Sequence, residues 1–317
     1  MAAKTKIAAF LLLTGTAVLF GQRPPADFGL SSVMRQSTFV VHYDPADPFL
    51  ARLAAETAAD ELASIAGELG YIVEPDRPFD LYVYRSHRDF IEAGGLAKRK
   101  YTVGTARASD QSIAVDASGA FVVLREVLAH EITHVVAFRI LGRHAARLPL
   151  WFNEGMAKHY SGASVASDDA LVAQAAAAGT LIPLWVLEDD FPEKRESLSY
   201  AQSASAVRYM IRTSGASSPR IVLGALARGR SFDQAMVEAT GLTSRRFADE
   251  WYAYVSERYR MLRFVRIGGA VVGVVMAVLA VAAFAARRRR MREAARRWEE
   301  EELDQAIRRQ IGNDWLR

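Results

Sequence analysis

The chain has 317 residues, 51% of them hydrophobic, and its 40 Lys and Arg against 36 Asp and Glu give a net charge of +4. This length accommodates one catalytic domain of ordinary size with short appendages. The absence of cysteine excludes disulfide bonds, thiolate metal ligands, a lipid-modified cysteine and a cysteine nucleophile. Residues 287–317 carry 10 Arg against 7 Asp and Glu, so most of the net positive charge lies in this segment. We interpret this charge as a determinant of membrane topology and expect no nucleic-acid partner.

The N-terminal segment, residues 1–22, has the features of a targeting sequence. Two lysines precede an apolar run from Ile7 to Phe20, and Gly21 follows at its end. A basic start, a short apolar run and nearby small residues are typical of a secretory signal peptide. An uncleaved signal anchor is the alternative, because neither Ala17 nor Gly21 provides a strong cleavage motif.

The segment 30–120 is predicted to contain most of the strands. Alternating apolar residues predict strands, and apolar residues at helical spacing predict helices. The run Ser109–Gln111 between two short apolar stretches predicts a hairpin turn. The predicted elements are strands at 37–43, 79–84, 103–108 and 112–115, and helices at 48–69 and 86–93.

The segment 121–260 is predicted to be helical throughout. Its predicted helices are 121–141, 149–160, 168–177, 200–213, 217–228, 231–240 and 244–260. Because strands come first and helices follow, we expect an α+β fold. A small mixed sheet with a hairpin would pack on helix 121–141, and an all-helical half would complete one domain over 30–260.

The helix predicted at 121–141 carries the sequence His-Glu-Ile-Thr-His at positions 130–134. Residues four apart lie on the same face of a helix, so His130 and His134 can bind one ion. Glu131 projects beside that ion, where it can take a proton from water. A solvated helix face with two histidines is the alternative, but the apolar flanks of the motif do not fit it.

Twenty positions after His134, Glu154 lies on a second predicted helix that opens after Pro149. Two histidines, one carboxylate and an open fourth position are typical of a catalytic zinc site. We therefore expect one Zn²⁺ per chain, held by His130, His134 and Glu154.

A second apolar segment is predicted to span a membrane at 264–286. Ile267 to Ala286 contains no charged residue and, as a helix, is about 30 Å long, which matches the bilayer core. Four arginines at 287–290 follow, so the tail 287–317 is expected in the cytoplasm and the domain before the span outside it. A buried soluble helix is the alternative. Gly269 and Gly273 could pair two such helices in a homodimer.

With these motifs in hand, the chain resembles the gluzincins, the thermolysin-like zinc metallopeptidases, and more closely the membrane-associated peptidase-MA-like bacterial proteins. The resemblance covers about residues 37–260. Its segments are Leu-Ala-His-Glu-Ile-Thr-His-Val-Val at 128–136, Pro-Leu-Trp-Phe-Asn-Glu-Gly at 149–155, and the helical patterns at 200–211 and 229–251.

The resemblance implies that His130, His134 and Glu154 bind zinc and that Glu131 is the general base. Tyr200 resembles the tyrosine or histidine with which gluzincins stabilise the oxyanion; a plain helix-capping aromatic is the alternative. The predicted strand formed by Ser112, Ile113, Ala114 and Val115 would be the sheet edge that pairs with substrate, and Gln111 or Ser112 would contact it.

One position departs from the family pattern. Many gluzincins have an acid about four residues after the third ligand, where it orients a ligand histidine. Lys158 occupies that position here. We therefore expect Asn153 or a backbone carbonyl to support the ligand histidine instead.

These observations predict a membrane-tethered, extracytoplasmic zinc metallopeptidase whose partners are a peptide or protein substrate and the lipid bilayer. One alternative, favoured by Lys158, is a peptidase-fold protein with little or no activity that acts as a binding or assembly factor in the envelope. Another is an amide hydrolase acting on cell-wall peptides.

Overall fold

Five strands form one mixed sheet in a computed structural model of the chain, which describes residues 28–94, 102–163, 165–260 and 275–292. Across the sheet their order is β1, β2, β3, β5, β4. The two outer pairs, β1 with β2 and β4 with β5, are antiparallel, while β2, β3 and β5 run parallel. The strands are β1 (Ser32–Arg35), β2 (Phe39–Tyr43), β3 (Phe79–Tyr84), β4 (Gly104–Ala106) and β5 (Ile113–Asp116).

Nine helices accompany the sheet in the described residues up to 260. They are α1 (Pro48–Leu69), α2 (His87–Gly94), α3 (Phe121–Leu141), α4 (Leu150–Tyr160), α5 (Val165–Ala178), α6 (Glu196–Ser214), α7 (Ser218–Ala227), α8 (Phe232–Thr240) and α9 (Ser244–Arg258). Short 3₁₀ turns lie between α3 and α4 and between α5 and α6.

The face of the sheet that packs on α1 and α3 forms the main core. Alternate strand residues point to the same face, so Phe39, Val41, Leu81 and Val115 all join this core. The crossover from β2 to β3 is α1, at whose start the Asp47 side chain accepts a hydrogen bond from the Leu50 amide. The opposite face packs on α2 through a smaller apolar cluster. The sheet therefore serves as a platform that fixes α3.

The predicted α+β class is confirmed, as is the packing of the hairpin strands on the helix at 121–141. That helix and the one at 48–69 have the predicted bounds, and the remaining predicted helices shift by a few residues at their ends. Strand β1 was not predicted, because it has only four residues and its side chains are partly exposed.

The prediction that 112–115 is the edge strand is wrong. Strand β5 lies between β3 and β4, and its pairing with β3 runs from Leu81 opposite Ile113 to Tyr84 opposite Asp116. The edge on this side of the sheet is β4. The turn sequence predicts only that the two strands pair with each other. Which of them lies at the edge depends on which one also pairs with β3, a strand distant in sequence.

The contacts divide the chain into two units after Tyr259. Residues 275–292 are helical. In the described ranges, no helix is both long enough and apolar enough to cross a bilayer. The predicted span 264–286 and tail 287–317 fall partly outside the described residues, and the N-terminal segment 1–22 and the Gly269–Gly273 pair fall wholly outside them, so these stay predictions.

Candidate metal centre

Helix α3 supplies His130, Glu131 and His134, all of which are buried. The helix lies between the sheet and α4, so apolar side chains surround the motif on several sides, among them Val127 and Val135. The two histidine rings meet edge to face with centroids 4.8 Å apart. The predicted i, i+4 arrangement is therefore present on a helix that has little freedom to move.

Helix α4 supplies the third group, Glu154, which is 1% exposed. The helix begins at Leu150, directly after Pro149. The backbone of Pro149 is extended, so the preceding segment is not part of the helix. The Leu150 amide donates to the Glu188 carbonyl at 2.7 Å, so this end of the helix is fixed. Contacts between α3 and α4 then hold Glu154 opposite the two histidines.

The three side chains converge on one point. Glu154 Oε2 lies 3.2 Å from His130 Nε2 and 3.5 Å from His134 Nε2. Ligand atoms about 2.0 Å from a tetrahedral zinc ion are separated from each other by about 3.3 Å. The two distances from Glu154 therefore match edges of a tetrahedral zinc site, and one ligand atom from each of the three residues lies within 4.8 Å of the others.

Burial and mutual charge shift the pKa values of these groups in different directions. Burial lowers the pKa of His130 to about 4. Burial alone would also lower the pKa of His134, but the Glu154 carboxylate outweighs it and raises that pKa to about 9. Burial would raise the pKa of Glu154, but the charge of His134 and the hydrogen bonds from both histidines together outweigh burial and lower that pKa to about 2. A carboxylate ligand is thus ionised and ready to bind a cation.

Asn153 supports the ligand His134. Its Oδ1 lies 2.9 Å from His134 Nδ1, and an amide oxygen only accepts hydrogen bonds. Nδ1 therefore carries a proton, and Nε2 is the nitrogen that faces Glu154 and that would bind a cation on losing its own proton. This is the support that the sequence predicted for Asn153, and it fixes both the tautomer and the orientation of the ring.

Glu131 is fully buried, and neither of its carboxylate oxygens has a hydrogen-bond partner within the described part of the chain. Burial raises its pKa to about 8. The backbone of the edge strand lies against it: a methyl group on Gly104 would be 2.6 Å from Glu131 Oε1 and 2.5 Å from Val127 Cγ1. Only glycine lets β4 approach the carboxylate so closely. Sequence reasoning missed Gly104, because this contact depends on the sheet order.

These observations fit a zinc ion. The Nε2 atom of His134 is buried without a hydrogen-bond partner in the described residues, as are both oxygens of Glu131. Unpartnered buried polar atoms are uncommon and call for a specific explanation. A cation bound by His130, His134 and Glu154 would give Nε2 a partner, with the two oxygens of Glu131 beside it.

Helix α6 lies directly against the ligand helix. A methyl group on Gly155 would be 2.5 Å from the Ser203 carbonyl and 2.7 Å from Val207, so the missing side chain lets the two backbones approach. Tyr200 lies nearly one turn before Ser203 on α6, is 8% exposed, and its ring packs edge to face on Phe191 at 5.0 Å. Its predicted role at the oxyanion stays a prediction.

Lys158 is paired rather than free. Its Nζ lies 2.7 Å from Asp168 Oδ1, and Asp168 is itself buried. Arg208 approaches the other oxygen of Asp168 at 3.7 Å. Asp168 on α5 therefore compensates the positive charge of Lys158, which occupies the position where many gluzincins have an acid. Sequence reasoning missed Asp168, since nothing local to residue 168 relates it to α4.

The residues predicted to bind substrate have other roles. Gln111 Oε1 accepts from Arg139 Nε at 3.0 Å, and Ser112 Oγ accepts from buried Arg107 at 2.8 Å. Both therefore fix the turn between β4 and β5. Ile113, Ala114 and Val115 are buried in the interior strand β5, so their backbones do not form the sheet edge.

Comparison with known families agrees with this geometry. A family model of the peptidase MA superfamily matches residues 57–257, which include the whole candidate metal centre. No curated protein matches the chain in a sequence comparison. Because the family match covers more than half of the chain, this protein belongs to the peptidase MA superfamily.

Proposed function

We propose that the protein is a membrane-tethered, extracytoplasmic zinc metallopeptidase. One observation carries the enzymatic part of the proposal: His130, His134 and Glu154 converge on one point, and Glu131 lies beside them with both oxygens unpartnered among the described residues. A structural site would have no use for such a carboxylate, since leaving it buried and unpaired destabilises the fold.

The chemistry assigned to each group follows from its position. A zinc ion held by His130, His134 and Glu154 would act as a Lewis acid, which polarises a carbonyl group and lowers the pKa of water. Glu131 accepts a proton from the attacking water and returns it to the leaving amine. Burial raises the pKa of Glu131 in the metal-free chain, and a bound cation beside it would lower that pKa again and so favour the ionised carboxylate that accepts the proton.

Strand β4 is the proposed site for the substrate backbone. It is the outer strand of the sheet, and Gly104 brings it against Glu131. An extended peptide can add to the outer strand of a sheet through main-chain hydrogen bonds. A peptide that paired with Gly104–Ala106 would therefore run past the general base, which favours a peptide or protein substrate.

Tyr200 is the proposed donor to the oxyanion. Its helix packs on the ligand helix at Gly155, and Phe191 holds its ring. Losing an oxyanion donor typically lowers kcat by about 10²–10³ with little change in KM. Tyr200→Phe should show this pattern and the exposed Tyr252→Phe should not; equal kcat for the two variants would remove Tyr200 from the mechanism.

Membrane tethering is proposed from the sequence of 264–286 and the arginines at 287–290. Within the described helix 275–292, apolar side chains such as Val278, Leu279 and Phe284 are exposed, as lipid-facing residues would be. Extraction of cell membranes with alkaline carbonate tests this part. The full chain should stay in the membrane pellet, and its release into the supernatant would contradict the tether.

The decisive test of enzymatic activity uses Glu131→Gln in the full chain, with Glu126→Gln on the same helix as the matched control. Loss of a general base costs about 10²–10⁴ in rate. We expect Glu131→Gln to keep its zinc and lose at least about 100-fold in turnover of a peptide library. The control should cut peptides as the wild type does.

Unchanged turnover in zinc-loaded Glu131→Gln would reject the proposed mechanism. A wild-type protein that binds zinc but cuts neither library peptides nor cell-wall peptides would favour the binding or assembly role. Cleavage of cell-wall peptides alone would narrow the substrate to that class. The pairing of Lys158 with Asp168 at 2.7 Å weakens the main reason for expecting an inactive protein.

A further inference from the structure

A cavity of about 220 Å³ lies between α5, α6 and α9, on side chains that the proposed mechanism does not use. Among its lining residues are three arginines, three tyrosines and a single acid. They are Arg208, Arg212, Arg258, Tyr209, Tyr254, Tyr259 and Asp169. Three guanidinium groups around one small cavity form an unusual concentration of like charge.

Two of the guanidinium groups converge on one phenol. Arg212 and Arg258 each donate to Tyr254 Oη at 2.5 Å. Their donor nitrogens are therefore at most about 5 Å apart, two hydrogen-bond lengths. Two like charges at this separation repel each other unless an anion lies close to both.

The single lining acid does not balance the three arginines. Asp169 is shared, since Arg208 lies 3.0 Å from Oδ1 and Arg258 lies 3.5 Å from Oδ2. The neighbouring Asp168, which does not line the cavity, pairs with Lys158 at 2.7 Å and also lies 3.7 Å from Arg208. The lining residues therefore carry three positive charges and one negative charge.

The tyrosine rings hold the guanidinium groups in place. Tyr209 and Tyr254 stack with ring centroids 5.0 Å apart, and Arg212 lies 3.9 Å above the ring of Tyr254. Stacking fixes the plane of a guanidinium group and leaves its N–H edge available. Fixed guanidinium forks match the oxygens of a phosphate group, which they bind through two parallel hydrogen bonds.

From these observations we propose that the cavity binds a phosphate group through Arg212 and Arg258, with Arg208 completing the site. The cavity is smaller than the pockets of about 300–1,000 Å³ that hold drug-sized ligands. It therefore suits a compact anionic group, either free phosphate or the headgroup of an anionic phospholipid.

The lipid source follows from the position of the cavity along the chain, and this step rests on the proposed membrane tether. Tyr259 lines the cavity, and the predicted span begins at 264. On the proposed tether, the positive charge of the three arginines attracts the anionic headgroups of the membrane.

The test uses the full chain in a non-ionic, phosphate-free detergent, titrated with inorganic phosphate and followed by calorimetry. Arg212→Gln and Arg258→Gln should each weaken phosphate binding about tenfold or more, since each removes a charged hydrogen-bond donor. Arg245→Gln is the matched control on α9, where Arg245 pairs with Asp249 at 3.8 Å and stacks on Trp185 at 3.6 Å. No saturable phosphate binding, or equal binding by all variants, would overturn the proposal.

A second arm identifies the source of the phosphate. The full chain is placed in nanodiscs of phosphatidylcholine with and without phosphatidylglycerol, and the retained lipid is counted by mass spectrometry. Enrichment of phosphatidylglycerol that is lost in Arg258→Gln assigns the site to lipid. Phosphate binding without enrichment assigns it to free phosphate and still supports the site.

Asp169→Asn tests the same site without changing an arginine, in case an arginine variant folds poorly. Removing this carboxylate frees Arg208 and Arg258 for the ligand, so we expect tighter phosphate binding than in the wild type. Unchanged or weaker binding by Asp169→Asn in a folded protein would contradict the site. Glu131→Gln should bind phosphate like the wild type, so failure of the peptidase proposal and failure of this one are distinguishable.

Discussion

Helix α4 takes part in two clusters of buried charged groups, one turn apart, and they are stabilised in opposite ways. At Lys158 the charge is matched: Nζ lies 2.7 Å from Asp168, which Arg208 approaches at 3.7 Å. At the candidate metal centre Glu154 is paired with His130 and His134, but both oxygens of Glu131 lack a hydrogen-bond partner in the described residues. Asp168 Oδ2 also lacks a hydrogen bond, but its other oxygen is bonded to Lys158 and Arg208 lies 3.7 Å away, whereas neither oxygen of Glu131 is bonded within the described residues.

The contrast has an energetic reason. A buried polar group without a partner destabilises a protein by about 1–3 kcal/mol, and more if it is charged. Asp168 on α5 is such a partner for Lys158. No described residue forms a hydrogen bond with the carboxylate of Glu131. Such strain is tolerated at functional sites. The metal centre is therefore the region where substitutions should change activity most, and the ion pair the region where they should change stability.

Among substitutions outside the proposed ligands and the proposed catalytic groups, the largest effect should come from Gly104→Ala. The added methyl group would lie 2.6 Å from Glu131 Oε1, so either the carboxylate or the edge strand must move. A displacement of about 1 Å at a catalytic group can cost 10²-fold in rate. We expect kcat/KM for peptides to fall about 100-fold while zinc content stays at one per chain.

Gly119→Ala is the control for this substitution. Nothing lies within 4 Å of the methyl group that it would add, so activity should be unchanged. Wild-type activity in Gly104→Ala would mean that β4 does not position Glu131.

A smaller effect is expected from Asn153→Ala. This change removes the oxygen that lies 2.9 Å from His134 Nδ1, so the ring loses its fixed orientation. Loss of such a partner typically weakens metal affinity by about 10–100-fold. Competition with a fluorescent zinc chelator measures the change. Asn153→Asp keeps an acceptor and should bind zinc as tightly as the wild type; equal zinc affinities for Asn153→Ala and wild type would refute the assignment.

Lys158→Met should change stability more than chemistry. It leaves buried Asp168 with Arg208 alone, at 3.7 Å. Breaking a buried pair costs about 3–5 kcal/mol, and we expect roughly 2 kcal/mol here because Arg208 remains. Urea unfolding of the full chain in detergent gives the free energy of unfolding.

The smallest change should follow Arg88→Met, which breaks a pair with Glu92 at 3.6 Å on the surface of α2. Exposed pairs contribute about 0–1 kcal/mol. If Lys158→Met were no more destabilising than Arg88→Met, the buried pair would not have the structural role assigned to it.

The metal centre could be predicted because its information is local. His130, Glu131 and His134 fall within five consecutive positions on a helix whose apolar spacing predicts its bounds, and Pro149 marks the start of the helix that carries Glu154. The support from Asn153 could also be anticipated, since it adjoins a ligand. The α+β class follows from the order of strands and helices.

What could not be predicted depends on contacts between distant segments. Both hairpin strands consist of buried residues, so their sequences do not say which one forms the edge. The place of Gly104 against Glu131 follows from that sheet order. The pairing of Lys158 with Asp168, and the convergence of Arg212 and Arg258 on Tyr254, likewise require helices whose packing no local pattern specifies.

The most direct test of the metal centre is the zinc content of the purified full chain after removal of metal with a chelator and reloading. The wild type should retain one zinc per chain, His134→Ala should retain none, and His144→Ala, a histidine outside the centre, should retain one. One zinc per chain in His134→Ala, or none in the wild type, would contradict the shared site of His130, His134 and Glu154.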